Sequence, residues 1–245
     1  MKTNSRERYW HERAKVYQNL EWVCNKSYLK NVIHAIVPNS RDIVLDVGTG
    51  TGAVAIAISP MVNRVIGVDF SQGMLNRAER HDNIYYIKWD VRKPLFWGGI
   101  FTKVVARQVF HHIPETQVVV DICYKVLKKG GKFIIVEPVC PSPDIRDAYS
   151  EIFKLKDSRQ IFTEEDLIRI TKKAGFENVK AVTFRVKKFS VRNWLDNNAL
   201  ESVVQDKIFE LHVRGSEAFR RAYRMKIING DCLIDIKNVV VVGEK

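Results

Sequence analysis

Short apolar runs rich in β-branched residues recur along the chain, separated by stretches with helical spacing. Val44–Val47, Arg64–Val68, Ile84–Lys88, Thr102–Ala106 and Lys132–Glu137 are the first five runs. Runs this short, bounded by turn residues, read as buried strands, and the segments of 3.6-residue period between them as covering helices. Helices are expected over Ala53–Ile58, from the N-cap Ser71 through Arg80, and over Pro114–Lys128. The last of these presents Val119, Ile122, Cys123, Val126 and Leu127 on one face, with Gly130-Gly131 ending it. Thr163 followed by three acids opens a further helix, which Gly175 closes. Phe176–Val186 and Ile236–Gly243 read as the final strands. Between them Ser190–Lys226, with Trp194, Leu195, Leu200, Val204, Ile208, Leu211 and Phe219, reads as two helices. Ahead of the first strand, Tyr9–Val37 has a helix-like alternation that stops at Pro38, while Pro138, Pro141 and Pro143 predict a loop after the fifth strand. The alternation of strand and helix predicts an α/β fold.

One turn carries the first chemical signal. The run Val44–Val47 contains Asp46 and ends in Gly48-Thr49-Gly50-Thr51-Gly52, ahead of good helix formers. Glycines there allow positive φ and let the backbone approach a ligand closely. Gly48, Gly50 and Ala53 satisfy the spacing of a dinucleotide turn, so a nicotinamide oxidoreductase is one reading. Asp46, just before the first glycine, would repel a pyrophosphate and suits a ligand with a cationic group. Asp69, after the second strand, stands near the roughly twenty-residue offset at which an acid binds ribose hydroxyls, which fits either ligand.

From Val44 to Val186 the chain resembles the class I S-adenosylmethionine-dependent methyltransferases. The segments VLDVGTGTG, VIGVDFSQGML, IKWDVRKPLF, FTKVVARQVFHHIP and KVLKKGGKFIIVEP are similar, in order, to the family's successive motifs. Thr102 and Lys129 depart from it, standing where the family often has Asp and Pro. The resemblance implies a Rossmann-like, mostly parallel seven-stranded sheet with the last strand antiparallel, helices on both faces and a helical cap. It also implies residues 1–40 as an N-terminal helical cap segment, 41–189 as the cofactor-binding core, 190–230 as a helical insertion and 231–245 as the core's final strand. The implied cofactor is S-adenosylmethionine, with S-adenosylhomocysteine as product. Asp46 and the turn residues Gly48, Thr49, Gly50 and Gly52 would hold its methionine end with Tyr17 nearby, Asp69 its ribose, and Asp90 and Val91 its adenine. Phe70 and Met74 would wall the adenine or pack in the core, and Arg107 stands at the same sheet edge. Among relatives the pattern is similar to the small-molecule branch that includes the quinone-biosynthesis enzymes.

The loop after the fourth strand brings His111 and His112 to the carboxyl edge of the sheet, where open α/β sheets hold ligands. An imidazole titrates near neutrality, so these are the candidates for proton removal, His112 ahead of His111; capping of the next helix or substrate binding is the plainer role. Glu137 is a second acceptor ligand or a solvated strand-end acid, and Trp194 belongs to the helical segment expected to shape the acceptor pocket. Asn-Pro-Pro-Tyr and Pro-Cys signatures are missing from the loop, and Cys140 reads as a packed thiol rather than a nucleophile.

Composition changes this picture little. With 245 residues and 46% apolar content, the chain can build a full core. The net charge of +12 permits an anionic partner, yet Arg6, Arg8, Arg13, Lys128, Lys129, Arg220, Arg221 and Arg224 are spread along the chain without a recognisable nucleic-acid module. A small-molecule methyl acceptor is therefore expected. RNA methylation stands as an alternative on charge alone, and a non-catalytic cofactor-binding subunit as a second. Cys24, Cys123, Cys140 and Cys232 are scattered, which points to a reducing cytoplasm and to no metal site. Neither a secretory leader nor a membrane span is expected.

Overall fold

The computed structural model describes residues 5–23, 25–94, 96, 98–157 and 159–245; Cys24 lies outside the described residues. Strands β1 (Ile43–Val47), β2 (Arg64–Asp69), β3 (Ile84–Lys88), β4 (Phe101–Arg107), β5 (Leu127–Pro138), β6 (Glu177–Ser190), β7 (Lys226–Ile228) and β8 (Asp231–Glu244) form one sheet. Their order is β3-β2-β1-β4-β5-β8-β6, with the short β7 paired to β8. The pairings among the first five strands are parallel, and β8 runs antiparallel to β5, β6 and β7. Strand order reverses between β1 and β4, which opens a crevice at their carboxyl ends.

Successive residues of the central strands enter opposite layers. Val44, Val105, Ile134 and Val240 pack on one side, Leu45, Val104, Ile135 and Val241 on the other. This is the two-residue period of the pleat with both faces covered, which is why these strands read as continuous apolar runs. Helices α2 (Lys26–Ile36) and α3 (Ala53–Ile58) cover the first side; α5 (Thr116–Val126) and α7 (Glu164–Lys173) cover the second. Each fully buried side chain of this kind, such as Ile58 or Phe133, contributes roughly 1.5–3 kcal/mol. Thr163 and Asp166 exchange hydrogen bonds in a capping box at the start of α7.

Several elements differ from the sequence expectation. The N-terminal segment is broken into α1 (Ser5–Ala14), a 3-10 turn at Tyr17–Asn19 and α2, which Asn25 caps by accepting from the Tyr28 N–H. The helix after Ser71, α4, is only Gln72–Leu75; beyond it Arg77 and Ala78 donate to Met74 and Leu75, an i to i+3 pattern that winds too tightly to continue. Gly130-Gly131 does not end α5, because the chain leaves the helix at Leu127 and both glycines lie within β5. The loop expected after Pro138 contains α6 (Arg146–Lys156), which a 3-10 turn beginning at Pro143 leads into. Three helices, α8 (Val191–Asp196), α9 (Ser202–Val213) and α10 (Glu217–Ala222), occupy the segment where two were expected. The eighth strand, β7, is a hairpin extension of β8 that the seven-strand expectation lacked. Among the described residues no helix is long and apolar enough to cross a membrane.

Candidate functional site

The turn between β1 and α3 sits at the crevice. Gly48, Gly50 and Gly52 have φ of 67°, 58° and 85°, a conformation that a side chain disfavours. A Cβ on Gly48 would come within 2.3 Å of Val109, and one on Gly52 within 2.2 Å of the Tyr86 hydroxyl. At Gly50 the nearest such neighbour is Tyr17, at 4.0 Å. Asp69 fixes the turn from the next strand: its Oδ2 accepts from the Gly50 N–H at 3.0 Å and its Oδ1 from the Ser71 N–H at 2.9 Å. Asp46 accepts from the Thr49 hydroxyl at 2.7 Å. Burial raises the Asp46 carboxyl from its ordinary 3.8 to about 7, and that of Asp69 to about 6. Two acids short of counter-charge therefore flank one backbone bend, the condition in which a cationic ligand group is favoured.

A cavity of about 420 Å³ opens beside the turn. Of the sequence-derived cofactor residues, Tyr17, Gly48, Gly50, Asp69, Phe70, Met74, Asp90, Val91 and Arg107 line it. Asp46 and Thr49 line a smaller recess of about 20 Å³ that Tyr17, Gly48, Gly50 and Arg107 also border. Gly52 lines neither and serves the turn itself. Asp90 faces the cavity with both oxygens engaged by the Arg92 guanidinium, at 2.9 and 2.7 Å, and this pairing holds its carboxyl below the ordinary range. Arg107 donates to the carbonyls of Trp22 and Val23 and stacks on Tyr28 at 4.4 Å, while its buried Nε has no partner among the described residues.

Across a wall made by Trp10, Tyr17, Gln108 and His112 lies a second, narrower chamber of about 70 Å³. Both histidines line it. His112 belongs to both cavities and packs edge-on against Trp10 at 4.8 Å; burial, then His111 and nearby cations, hold its pKa well below the usual value. Burial likewise lowers His111, so both rings are neutral at pH 7. The His111 Nδ1 meets Glu137 Oε2 at 2.5 Å, and Glu137 Oε1 accepts from the N–H groups of Val109 and Phe110. Glu137 is fully buried and lines neither cavity: its oxygens are spent on orienting the histidine loop. Trp194 lines the chamber.

A family profile described as a methyltransferase domain matches residues 45–135, the turn and five strands that build this crevice. Residues 45–135 thus carry a methyltransferase domain, and the resemblance to the class I S-adenosylmethionine-dependent enzymes rests there. The chain is 27% identical over 125 residues to the uncharacterized methyltransferase YcgJ of Bacillus subtilis, covering 48% of this chain and 49% of that protein. The crystal structure of YcgJ superposes with a TM-score of 0.78 at 19% identity, covering 89% and 97% of the two chains. Demethylmenaquinone methyltransferase of Clavibacter sepedonicus is 28% identical over 125 residues, 49% of this chain and 51% of that one. The chain thus matches only about half the length of these curated relatives. Phosphoethanolamine N-methyltransferase 2 of Haemonchus contortus, in complex with S-adenosyl-L-methionine, shares the fold at a TM-score of 0.64 and 18% identity over 95% of this chain and 57% of that one.

The residues around the turn and crevice fit S-adenosylmethionine. Asp46 and Asp69 suit a sulfonium amino acid and a ribose, Phe70 and Met74 give an apolar wall, and the unpartnered Arg107 Nε suits a carboxylate. Several lining residues had no sequence-level role: Trp89, Gln108, Tyr28 and Tyr223, and the cations Arg13, Lys156 and Arg159. Trp10 and Trp22, from the segment Tyr9–Val37 that reads only as helix-like, line the chamber as well. Tyr149, Ile152 and Lys156 on the buried face of α6 carried a helical period that the neighbouring prolines masked.

Proposed function

We propose that the chain transfers a methyl group from S-adenosylmethionine to a small-molecule acceptor seated in the narrow chamber. The observation that carries this reading is the shared lining: Trp10, Tyr17, Gln108 and His112 border both spaces, so the two cavities adjoin there and the donor methyl and the acceptor nucleophile would meet between these side chains. When bound, S-adenosylmethionine supplies an electrophilic methyl carbon whose electron pair leaves with sulfur. In this reading Asp46, Arg107 and the turn at Gly48–Gly52 hold the methionine end, with Tyr17 closing over it. Asp69 takes the ribose hydroxyls; Asp90, Val91, Phe70 and Met74 take the adenine. Trp194 helps seat the acceptor.

The chain's own contribution is mainly orientation and exclusion of water, which can supply much of the barrier reduction for a reaction whose donor is already activated. If the nucleophile carries a proton, His112 receives it as a neutral imidazole facing both spaces. His111, whose ring lies 4.0 Å from that of His112, is held by Glu137, which acts as a positioning residue. Residence in a reducing compartment belongs to the same reading, supported by Cys123, Cys140 and Cys232 standing as free thiols. Incubation with methyl-labelled donor and a metabolite extract tests it. Label should pass to a low-molecular-weight product; label found only in RNA, or in nothing, contradicts it.

A further inference from the structure

Taking the chamber as the acceptor site, as above, we propose that its ligand bears an anionic group, a carboxylate or phosphate, on a flat apolar body. The chamber walls carry two guanidinium groups, Arg13 and Arg159, and the amine of Lys156, whose pKa burial and the two arginines hold well below its usual value. The acid against them is Asp157, which bonds Lys156 Nζ at 2.6 Å and Arg159 through Nε and Nη2 at 2.5 and 2.6 Å. Asp157 is thus engaged by Lys156 and Arg159, and Glu137 by the histidine loop, which leaves Arg13 without a carboxylate partner among the described residues.

Arg13 is the least compensated. It is 3% exposed, donates from Nη1 to the Tyr9 hydroxyl at 3.1 Å, lies 4.9 Å from the Trp10 ring, and its Nε has no partner among the described residues. A buried cation without a matching anion is unfavourable, and such an excess persists at a binding site because the ligand completes it. The fully buried Asn238 also lines the chamber, and its Oδ1 lacks a partner among the described residues, so a hydroxyl on the same ligand would satisfy it. The rings of Trp10, Phe153, Trp194 and Tyr223 supply flat apolar walls. A free amine would face Arg13 and be disfavoured.

The test uses the full chain, first titrated with S-adenosylhomocysteine and then, once saturated, with four probes. These are 4-hydroxybenzoate, phenyl phosphate, 4-hydroxybenzamide and tyramine. At least one of the two anions should bind about tenfold tighter than the amide or more, with tyramine weakest; the carboxylate and phosphate arms separate the two sources of charge. Lys156→Met and Arg13→Met should each weaken the anion by about tenfold and keep S-adenosylhomocysteine affinity, and Arg13→Met should raise the melting temperature of the unliganded protein by removing a buried charge without a carboxylate partner. Equal or tighter binding of the amide or amine, no binding of either anion, or unchanged anion affinity in both variants overturns the proposal. Failure of the first titration overturns the methyltransferase reading instead.

Discussion

Asp46 concentrates the electrostatics of the turn in one group. Folding raises its pKa from 3.8 to about 7, chiefly by burial. A carboxyl raised in this way keeps its proton in the folded chain where the unfolded chain has released it, so its contribution turns against the fold as pH climbs from about 4 to about 7. The stability of the wild type relative to Asp46→Asn should therefore fall across that interval in paired denaturant titrations. A cationic ligand group draws the proton off, so S-adenosylhomocysteine affinity should rise over the same interval in the wild type and stay flat in Asp46→Asn. Gly48 is constrained by sterics rather than charge. Its φ of 67° costs a non-glycine residue roughly 1–2 kcal/mol, and the added methyl would press on Val109 at 2.3 Å. Gly48→Ala should accordingly lower stability by about 1–3 kcal/mol in thermal denaturation and weaken S-adenosylhomocysteine by more than about tenfold.

The carboxyl end of β5 delivers Glu137 beneath the histidine loop, and the buried hydrogen bonds there make the loop a rigid unit. Glu137→Gln keeps the shape and removes the charge, so turnover should drop about 10- to 100-fold with S-adenosylhomocysteine affinity preserved and the pH profile displaced. A drop without a pH displacement would mark the residue as packing only. The same elements explain what the sequence could disclose. Asp46, the three glycines and Asp69 are legible because their roles follow from local backbone demands at one strand end. The central strands are legible because both faces are apolar. Lys156 and Arg159 are not, since α6 hides behind Pro138, Pro141 and Pro143, and their approach to Arg13 depends on packing between segments more than 140 residues apart. Glu137 misled for a related reason: a strand-end acid looks free until the loop that covers it is seen.

Regions far apart in sequence converge on one chamber: the segment from α1 to α2, the histidine loop after β4, the end of α6, and the β6–β8 region with its helices. The crevice at the β1–β4 reversal supplies the neighbouring cavity, so the proposed donor site is built by the sheet and the proposed acceptor site largely by the segments added to it. The family profile covers residues 45–135, within the first five strands, and stops short of the added segments. Titration calorimetry of the full chain with S-adenosylhomocysteine and, separately, with NAD tests the ligand preference on which the whole account stands. One-to-one binding of S-adenosylhomocysteine that Asp69→Asn weakens at least about tenfold, with no heat from NAD, is the predicted result; binding of NAD with none of S-adenosylhomocysteine would contradict it.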